Sequence, residues 1–289
     1  SGLKSNCSGL VAIVTWGLLH PLHAAITQRI INRLLEQGLG TMLFVDPDML
    51  SPAELRTILG YRPEGILIGP LYSREPAREL EKLLKSGFPI IGYCATGPQK
   101  FDNVSYDRSR IIYQAIQLMH RLGERRFEVV VGGLRQHLQA QVREILAQDD
   151  EFLRDSQPED VTFHEITGST KNGYYFAREI LSRRNPSKAY FFQDNRFATG
   201  FHRGCLEAGL SIPEDVKFVV GNRVEDTEFS PLHLTTIYPS LDTMAERIVA
   251  LLQARLQTPK SDLPCQEIFL PQEIELGEST HGGSNHAEG

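Results

Sequence analysis

Apolar and polar positions follow one order along this chain: a short apolar run, a polar turn, then apolar residues at helical spacing. Leu10–Thr15 (LVAIVT) predicts a strand ending at Trp16-Gly17. Pro21 suits the first turn of a helix, in which Ala25, Ile26, Ile30, Leu34 and Leu35 recur up to a stop at Gly38. Thr41–Val45 predicts a strand and Asp46-Pro47-Asp48 a turn, and Ser51 with Glu54 forms a capping box for the next helix. Gly65–Ile68 and Pro89–Gly92 predict further strands around a charged helix, Glu75–Ser86. A second series then begins. Its strands are Glu128–Val131, Val161–Ile166, Ala189–Phe192 and Val216–Val220, with helical stretches at Leu138–Phe152, Lys171–Arg184 and Arg196–Ala208. Ser240–Leu256 predicts a helix and Cys265–Leu276 a closing strand. Strand–helix alternation with short turns predicts the α/β class, with parallel sheets covered on both faces. In such sheets ligands bind beyond the carboxyl ends of the strands. That rule points to Gln193–Asn195 and to Asn222-Arg223.

The 289 residues are 41% hydrophobic and 23% charged, enough for one large domain or two lobes. The net charge of −6 leaves no basic stripe of the kind that grips nucleic acid. Arg125-Arg126 and Arg183-Arg184 read as solvated helix ends. Cys7, Cys94, Cys205 and Cys265 form no C-x-x-C pair, which argues against a zinc site or a disulfide framework and suits a reducing cytoplasm. Cys205 and Cys265 are expected to be small packing residues. No apolar run approaches the ~18 residues of a membrane span. Ser1–Ser8 lacks the apolar segment of a signal peptide and reads as a linker remnant, and Glu278–Gly289 reads as a disordered tail.

Motifs for catalysis are missing from the sequence: there is no G-x-S-x-G elbow, Walker loop or H-E-x-x-H. His20 and His23 lie three apart without a third ligand at a matching offset, so a polar cap or cleft lining is expected rather than a metal. Asp107 and Asp194 could face each other across a cleft, but without a positioned nucleophile or acid their expected use is ligand binding. The expectation is a protein without enzymatic activity, metal or cofactor.

Several motifs carry a resemblance. Asp194-Asn195-Arg196-Phe197-Ala198-Thr199-Gly200, Gly209-Leu210-Ser211-Ile212-Pro213-Glu214-Asp215-Val216, Val220-Gly221 and Leu234-Thr235-Thr236 follow one another in the order and spacing found in bacterial regulators of the lactose- and purine-repressor (LacI) type. His20-Pro21-Leu22-His23, Glu64-Gly65-Ile66-Leu67, Ser105-Tyr106-Asp107 and Leu122-Gly123-Glu124-Arg125-Arg126-Phe127 extend the likeness to the first half. The resemblance implies a two-lobed, periplasmic-binding-protein-like type I fold, each lobe a parallel sheet flanked by helices. Residues 9–125 with 238–258 would form the first lobe, and 126–237 with 259–277 the second. The chain would change lobe near Leu234–Pro239 and Pro259–Pro264.

The resemblance also implies a sugar or sugar-like effector between the lobes, a homodimer, and operator DNA contacted only through a head upstream of this chain. An exported sugar-binding protein of the same fold is the alternative. Ligand contacts would come from Trp16, His20, Tyr72, Tyr93 and Asp107, and from Arg135, Phe192, Asp194, Asn195, Asn222 and Arg223. Aromatic side chains would give flat walls, and Asp, Asn and Arg directed hydrogen bonds. Asp107 could instead cap the helix beginning near Ser109, and Asn195 could cap Arg196–Ala208. This sequence also departs from the pattern. The signature Asn-Asp is reversed to Asp194-Asn195, and Asn222-Arg223 replaces the usual aromatic residue and Asp. Arg223 would pair with a carboxylate or phosphate on the ligand, or else with Glu225 or Asp226. A domain that only dimerises is the third option.

Overall fold

Val11 and Ile13 enter one apolar cluster, while Ala12 and Val14 enter another. A strand buried on both faces needs helices on both sides of its sheet, and the computed structural model supplies them. It describes residues 8–15, 17–18, 20–45, 51–69, 78–94, 101–133, 136–222, 231–258 and 264–281.

In chain order the first elements are β1 (Leu10–Thr15), α1 (Pro21–Glu36), β2 (Gly40–Val45), α2 (Pro52–Gly60), β3 (Gly65–Gly69), α3 (Arg78–Lys85), β4 (Ile90–Tyr93) and β5 (Asp102–Tyr106). Then come α4 (Arg108–Arg121), β6 (Phe127–Val131), α5 (Gln136–Leu146), β7 (Val161–Glu165), α6 (Thr170–Leu181), β8 (Ala189–Phe192), α7 (Asn195–Glu207) and β9 (Lys217–Val220). The chain closes with β10 (Thr235–Pro239), α8 (Leu241–Gln257), β11 (Glu267–Leu270) and β12 (Gln272–Glu275). The expected start of α3, at Glu75, lies outside the described residues. The stretch expected to be helical up to Phe152 stops at Leu146, and a separate 3-10 turn covers Phe152–Arg154.

One sheet has the order β11-β5-β4-β3-β1-β2 and the other β12-β10-β9-β8-β6-β7. Within each unit this is the same plan, since the first strand sits between the second and the third. Connections therefore leave in opposite directions on either side of β1 in one unit and of β6 in the other. In the first unit α1 and α8 cover one face and α2 and α3 the other. In the second unit α6 and α7 pack on Val130, Tyr190, Phe192, Phe218 and Val220.

The units are Ser1–Tyr106 with Pro239–Pro271, and Asp107–Tyr238 with Gln272–Gly289. These limits differ from the expected ones chiefly in two places. Helix α4 belongs to the second unit, because it packs on α5 and β8. The closing segment is two strands, and β11 joins the first unit because it pairs with β5. Only β12 enters the second sheet, so the chain changes unit at Pro271-Gln272 and not at Pro259–Pro264. Cys265 is exposed and is not a packing residue, whereas Cys205 is fully buried.

Strand β5 was hidden by its polar sequence, Asp102-Asn103-Val104-Ser105-Tyr106. The Asp102 carboxylate is buried and paired. Arg255 of α8 donates to both Asp102 oxygens, at 2.6 and 2.7 Å, and the Gln266 amide donates to Asp102 Oδ1 at 2.8 Å. The start of the expected tail is likewise built in. Ser279 Oγ accepts from the Thr235 amide at 2.8 Å and donates to the Phe218 carbonyl at 2.7 Å. A Cβ on Gly277 would lie 2.6 Å from the His233 carbonyl oxygen. Residues 282–289 lie outside the described residues.

Helices α6 and α7 touch backbone to backbone. A Cβ on Gly173 would overlap the Phe197 backbone, one on Gly200 the Thr170 carbonyl, and one on Gly204 the Ala177 side chain. This contact fixes α7, which starts where β8 ends. We predict that Gly200→Ala destabilises the protein by about 1–3 kcal/mol through overpacking. Gly60 ends α2, and a Cβ added to it would meet nothing within 4 Å, so Gly60→Ala should stabilise by about 0.5–1 kcal/mol. Urea denaturation of both variants, side by side, measures the contrast.

Candidate functional site

Parallel strands put their carboxyl ends on one edge, and the plan reverses beside β6 in the second unit. The residues following β6, β8 and β9 meet there. The Gly132 amide donates to Gln193 Oε1 at 3.2 Å, which ties the end of β6 to the end of β8. The Asn195 amide donates to Asn222 Oδ1 at 3.0 Å, which ties the start of α7 to the end of β9. Asn222 is buried, at 3% exposed. Gly221 precedes it, and a Cβ there would lie 2.5 Å from the Phe191 ring and 3.5 Å from Ile111 of α4. The first turn of α4, with Asp107 before it, therefore borders the same rim.

Asp194 is the N-cap of α7 and accepts from the Arg196 amide at 2.9 Å. Its carboxylate also takes the Arg196 guanidinium, with Nη2 at 2.6 Å from Oδ2 and Nε at 3.1 and 3.2 Å from the two oxygens. The hydrogen bond to Asp194 raises the Arg196 pKa above its usual value. Asn195 is half-buried, and its Oδ1 is buried without a hydrogen-bond partner among the described residues. Asp107 caps α4, accepting from the Ser109 and Arg110 amides at 2.9 and 3.1 Å and from Ser109 Oγ at 2.5 Å.

In the first unit the plan reverses beside β1, whose last residue, Thr15, pairs with Gly69 of β3. Tyr93 ends β4 with its ring over Gly69, where a Cβ would meet it at 2.5 Å. Tyr93 has no exposed surface, and burial pushes its phenol up to about 12, against the pull of the neighbouring Thr15 and Thr27 hydroxyls. Those three oxygens lie near one another, yet none reaches hydrogen-bond geometry. His20 precedes α1, with its ring stacked on His23 at 4.2 Å.

A sequence model of the periplasmic binding protein-like domain matches residues 80–280. The chain belongs to this periplasmic binding protein-like family. The HTH-type transcriptional repressor MelR of Bacillus subtilis is 28% identical over 189 residues, which are 63% of this chain and 54% of that protein. The chain thus spans about half the length of that relative. The HTH-type transcriptional regulator MalR of Clostridium butyricum is 22% identical over 89% of this chain and 78% of its own length. Among solved structures, a LacI family transcriptional regulator from Enterococcus faecium with bound ribose superposes with a TM-score of 0.80 at 21% identity, covering 95% of this chain and all of that one. A second ribose-bound regulator of that family, from Enterococcus faecalis V583, has a TM-score of 0.76 at 21% identity, over 95% of this chain and all of its own. The fold is that of these regulators' sugar-bound chains.

In this family member the expected contact residues divide into three groups, with His20 apart from them in the first unit, directly before α1. Asp194, Asn195 and Asn222 gather at the strand ends of the second unit, with Asp107 on the neighbouring helix. Phe192 and Tyr93 are fully buried core residues and offer a ligand no surface; Phe192 packs on Phe201 with ring centroids 4.8 Å apart. Trp16, Tyr72, Arg135 and Arg223 lie outside the described residues. The helix cap is Asp194, one residue before the expected Asn195, because the aspartate oxygen reaches the free amide two residues on. Gln193 joins the rim as the strand-end rule indicated, and Arg196 joins it without having been expected. An arginine two residues after a capping aspartate is the sign in the sequence that could have found the latter.

One buried polar group lies apart from this rim. Glu128, second in β6, accepts from Ser187 Oγ at 2.6 Å and pairs with His164 Nε2 at 2.5 Å. Burial raises its pKa, but these partners outweigh that and hold it below the ordinary carboxylate value. The carboxylate stands between serine and histidine, so the histidine cannot take the serine proton, and the group serves packing. Among the described residues no three His, Cys, Asp or Glu side chains gather as a metal site, and no helix is long and apolar enough to cross a membrane.

Asp107 as cap and Asp107 as charged contact make different predictions. Asp107→Asn should keep stability within a few tenths of a kcal/mol, because Asn caps as well as Asp, whereas Asp107→Ala should cost about 0.5–2 kcal/mol. Thermal unfolding of the two variants checks this, and equal losses would remove the capping role.

Proposed function

We propose that this chain is the effector-binding core of a LacI-type transcriptional regulator. In this reading it takes a sugar or sugar derivative at the strand ends where each sheet plan reverses. One observation carries the reading: the fold superposes on ribose-bound LacI family regulators with TM-scores of 0.80 and 0.76, over 95% of this chain and the whole of theirs. A polar rim of Gln193, Asn195 and Asn222, held by strand ends and a capped helix, offers hydroxyl groups both donors and acceptors. Such directed groups fix orientation, while apolar walls supply most of the contact.

Binding would regulate by shifting population between conformations, which requires the ligand to prefer one of them. A homodimer would pass that shift to DNA-binding heads outside this chain. The curated relatives are transcriptional regulators, which favours a cytoplasmic regulator over an exported sugar-binding protein and gives no reason to expect turnover.

A thermal-shift panel of neutral sugars, sugar acids, sugar phosphates and nucleobases tests the ligand class. A ligand at a hundred times its dissociation constant should add about 2.7 kcal/mol of stability. We expect a hit among the pentoses, hexoses or their derivatives, reduced by Asn222→Ala. A hit confined to nucleobases, or none at all, would contradict the reading.

A further inference from the structure

The polar rim of the second unit carries a carboxylate that is already engaged. Asp194 is 6% exposed, and both of its oxygens face Arg196. Oδ1 accepts from the Arg196 amide and Nε, and Oδ2 from Nε and Nη2, so two N–H groups are directed at each oxygen. Three N–H groups, with Nε shared between the two oxygens, crowd this carboxylate, so a ligand hydroxyl that bonded here would compete with the arginine. The guanidinium is planar and the pairing is two-pronged, which gives both energy and fixed geometry. The pair spans two residues of one helix start, so the folded helix holds both partners in place. Asn195 Oδ1, next in the chain, is buried and lacks a hydrogen-bond partner among the described residues, and Asn222 holds the amide of the same residue.

Resting on the proposed ligand site, we infer that Arg196 determines its charge selectivity: it cancels Asp194, so that the rim reads ligands through the neutral amides of Asn195 and Asn222 and admits neutral and anionic sugars alike. A lone buried carboxylate would repel a ligand carboxylate or phosphate at close range in a medium of low dielectric. The paired carboxylate presents no net charge. Arg196 is here a specificity residue that acts through Asp194, and its loss should alter the ratio of affinities more than overall stability.

Isothermal titration of this protein with ribose and ribose 5-phosphate, and with glucose and glucuronate, tests the inference. The wild-type chain is expected to bind at least one neutral sugar and its anionic counterpart with affinities within about tenfold of each other. Arg196→Gln keeps the helix and the backbone cap but takes the guanidinium charge away from Asp194, and it should weaken the anionic partner about tenfold or more relative to the neutral one. Asp194→Asn also keeps the cap, frees the arginine, and should move the ratio the opposite way. Thermal unfolding of each variant shows that it is folded before titration. Binding by the wild type with a ratio that neither variant changes would overturn the inference and leave the ligand site standing. Absence of binding to all four sugars by the wild type would overturn both.

Discussion

Burying both faces of a parallel sheet is the constraint on which the rest of this structure depends. Val11 to Val14 and Val129 to Val131 have no exposed face on which to place a polar group. Polar chemistry is therefore pushed to the ends of the strands, where backbone groups lose their ladder partners and side chains must take over. In the second unit Gln193, Asp194 and Asn222 fill this role, each satisfying an amide at the end of a strand or the start of a helix. The same residues are those a ligand would meet, so the groups that terminate the fold also furnish the site.

Much of this could be read from the sequence, because it was local. The apolar runs marked the strands, the Ser51–Glu54 pair marked a capping box that is present as expected, and Gly38 stops α1 with a φ of +75°. What escaped was non-local. Strand β5 has no apolar run to mark it, and the partner of its Asp102 is Arg255, 153 residues away. The stretch after Cys265 reads as one strand, since nothing in its pattern tells that β11 and β12 pair in different sheets. Ser279 and Thr280 read as tail residues until Thr235 and Phe218 are brought beside them. Helix α4 was placed with the wrong unit because its apolar face does not say which sheet it will cover.

The candidate site was legible to the same degree. Strand ends could be found from the ends of apolar runs, which brought Asp194, Asn195 and Asn222 into view together. Whether a side chain at a strand end faces a ligand or the core depends on packing across the sheet, and Tyr93 and Phe192 turn inward over Gly69 and against Phe201. Charge was the least legible property. Asp107 and Asp194 look alike in sequence, yet one is engaged chiefly in capping and the other in a two-pronged ion pair.

The central claim is that a sugar binds at the strand ends of the polar rim and not elsewhere on the chain. Backbone amide NMR with ribose tests it most directly. Shifts concentrated at Gln193–Arg196 and at Gly221 and Asn222, with the amides around Glu128 and His164 unmoved, are the predicted result. Shifts centred on Glu128 and His164, or spread evenly with the rim silent, would contradict it.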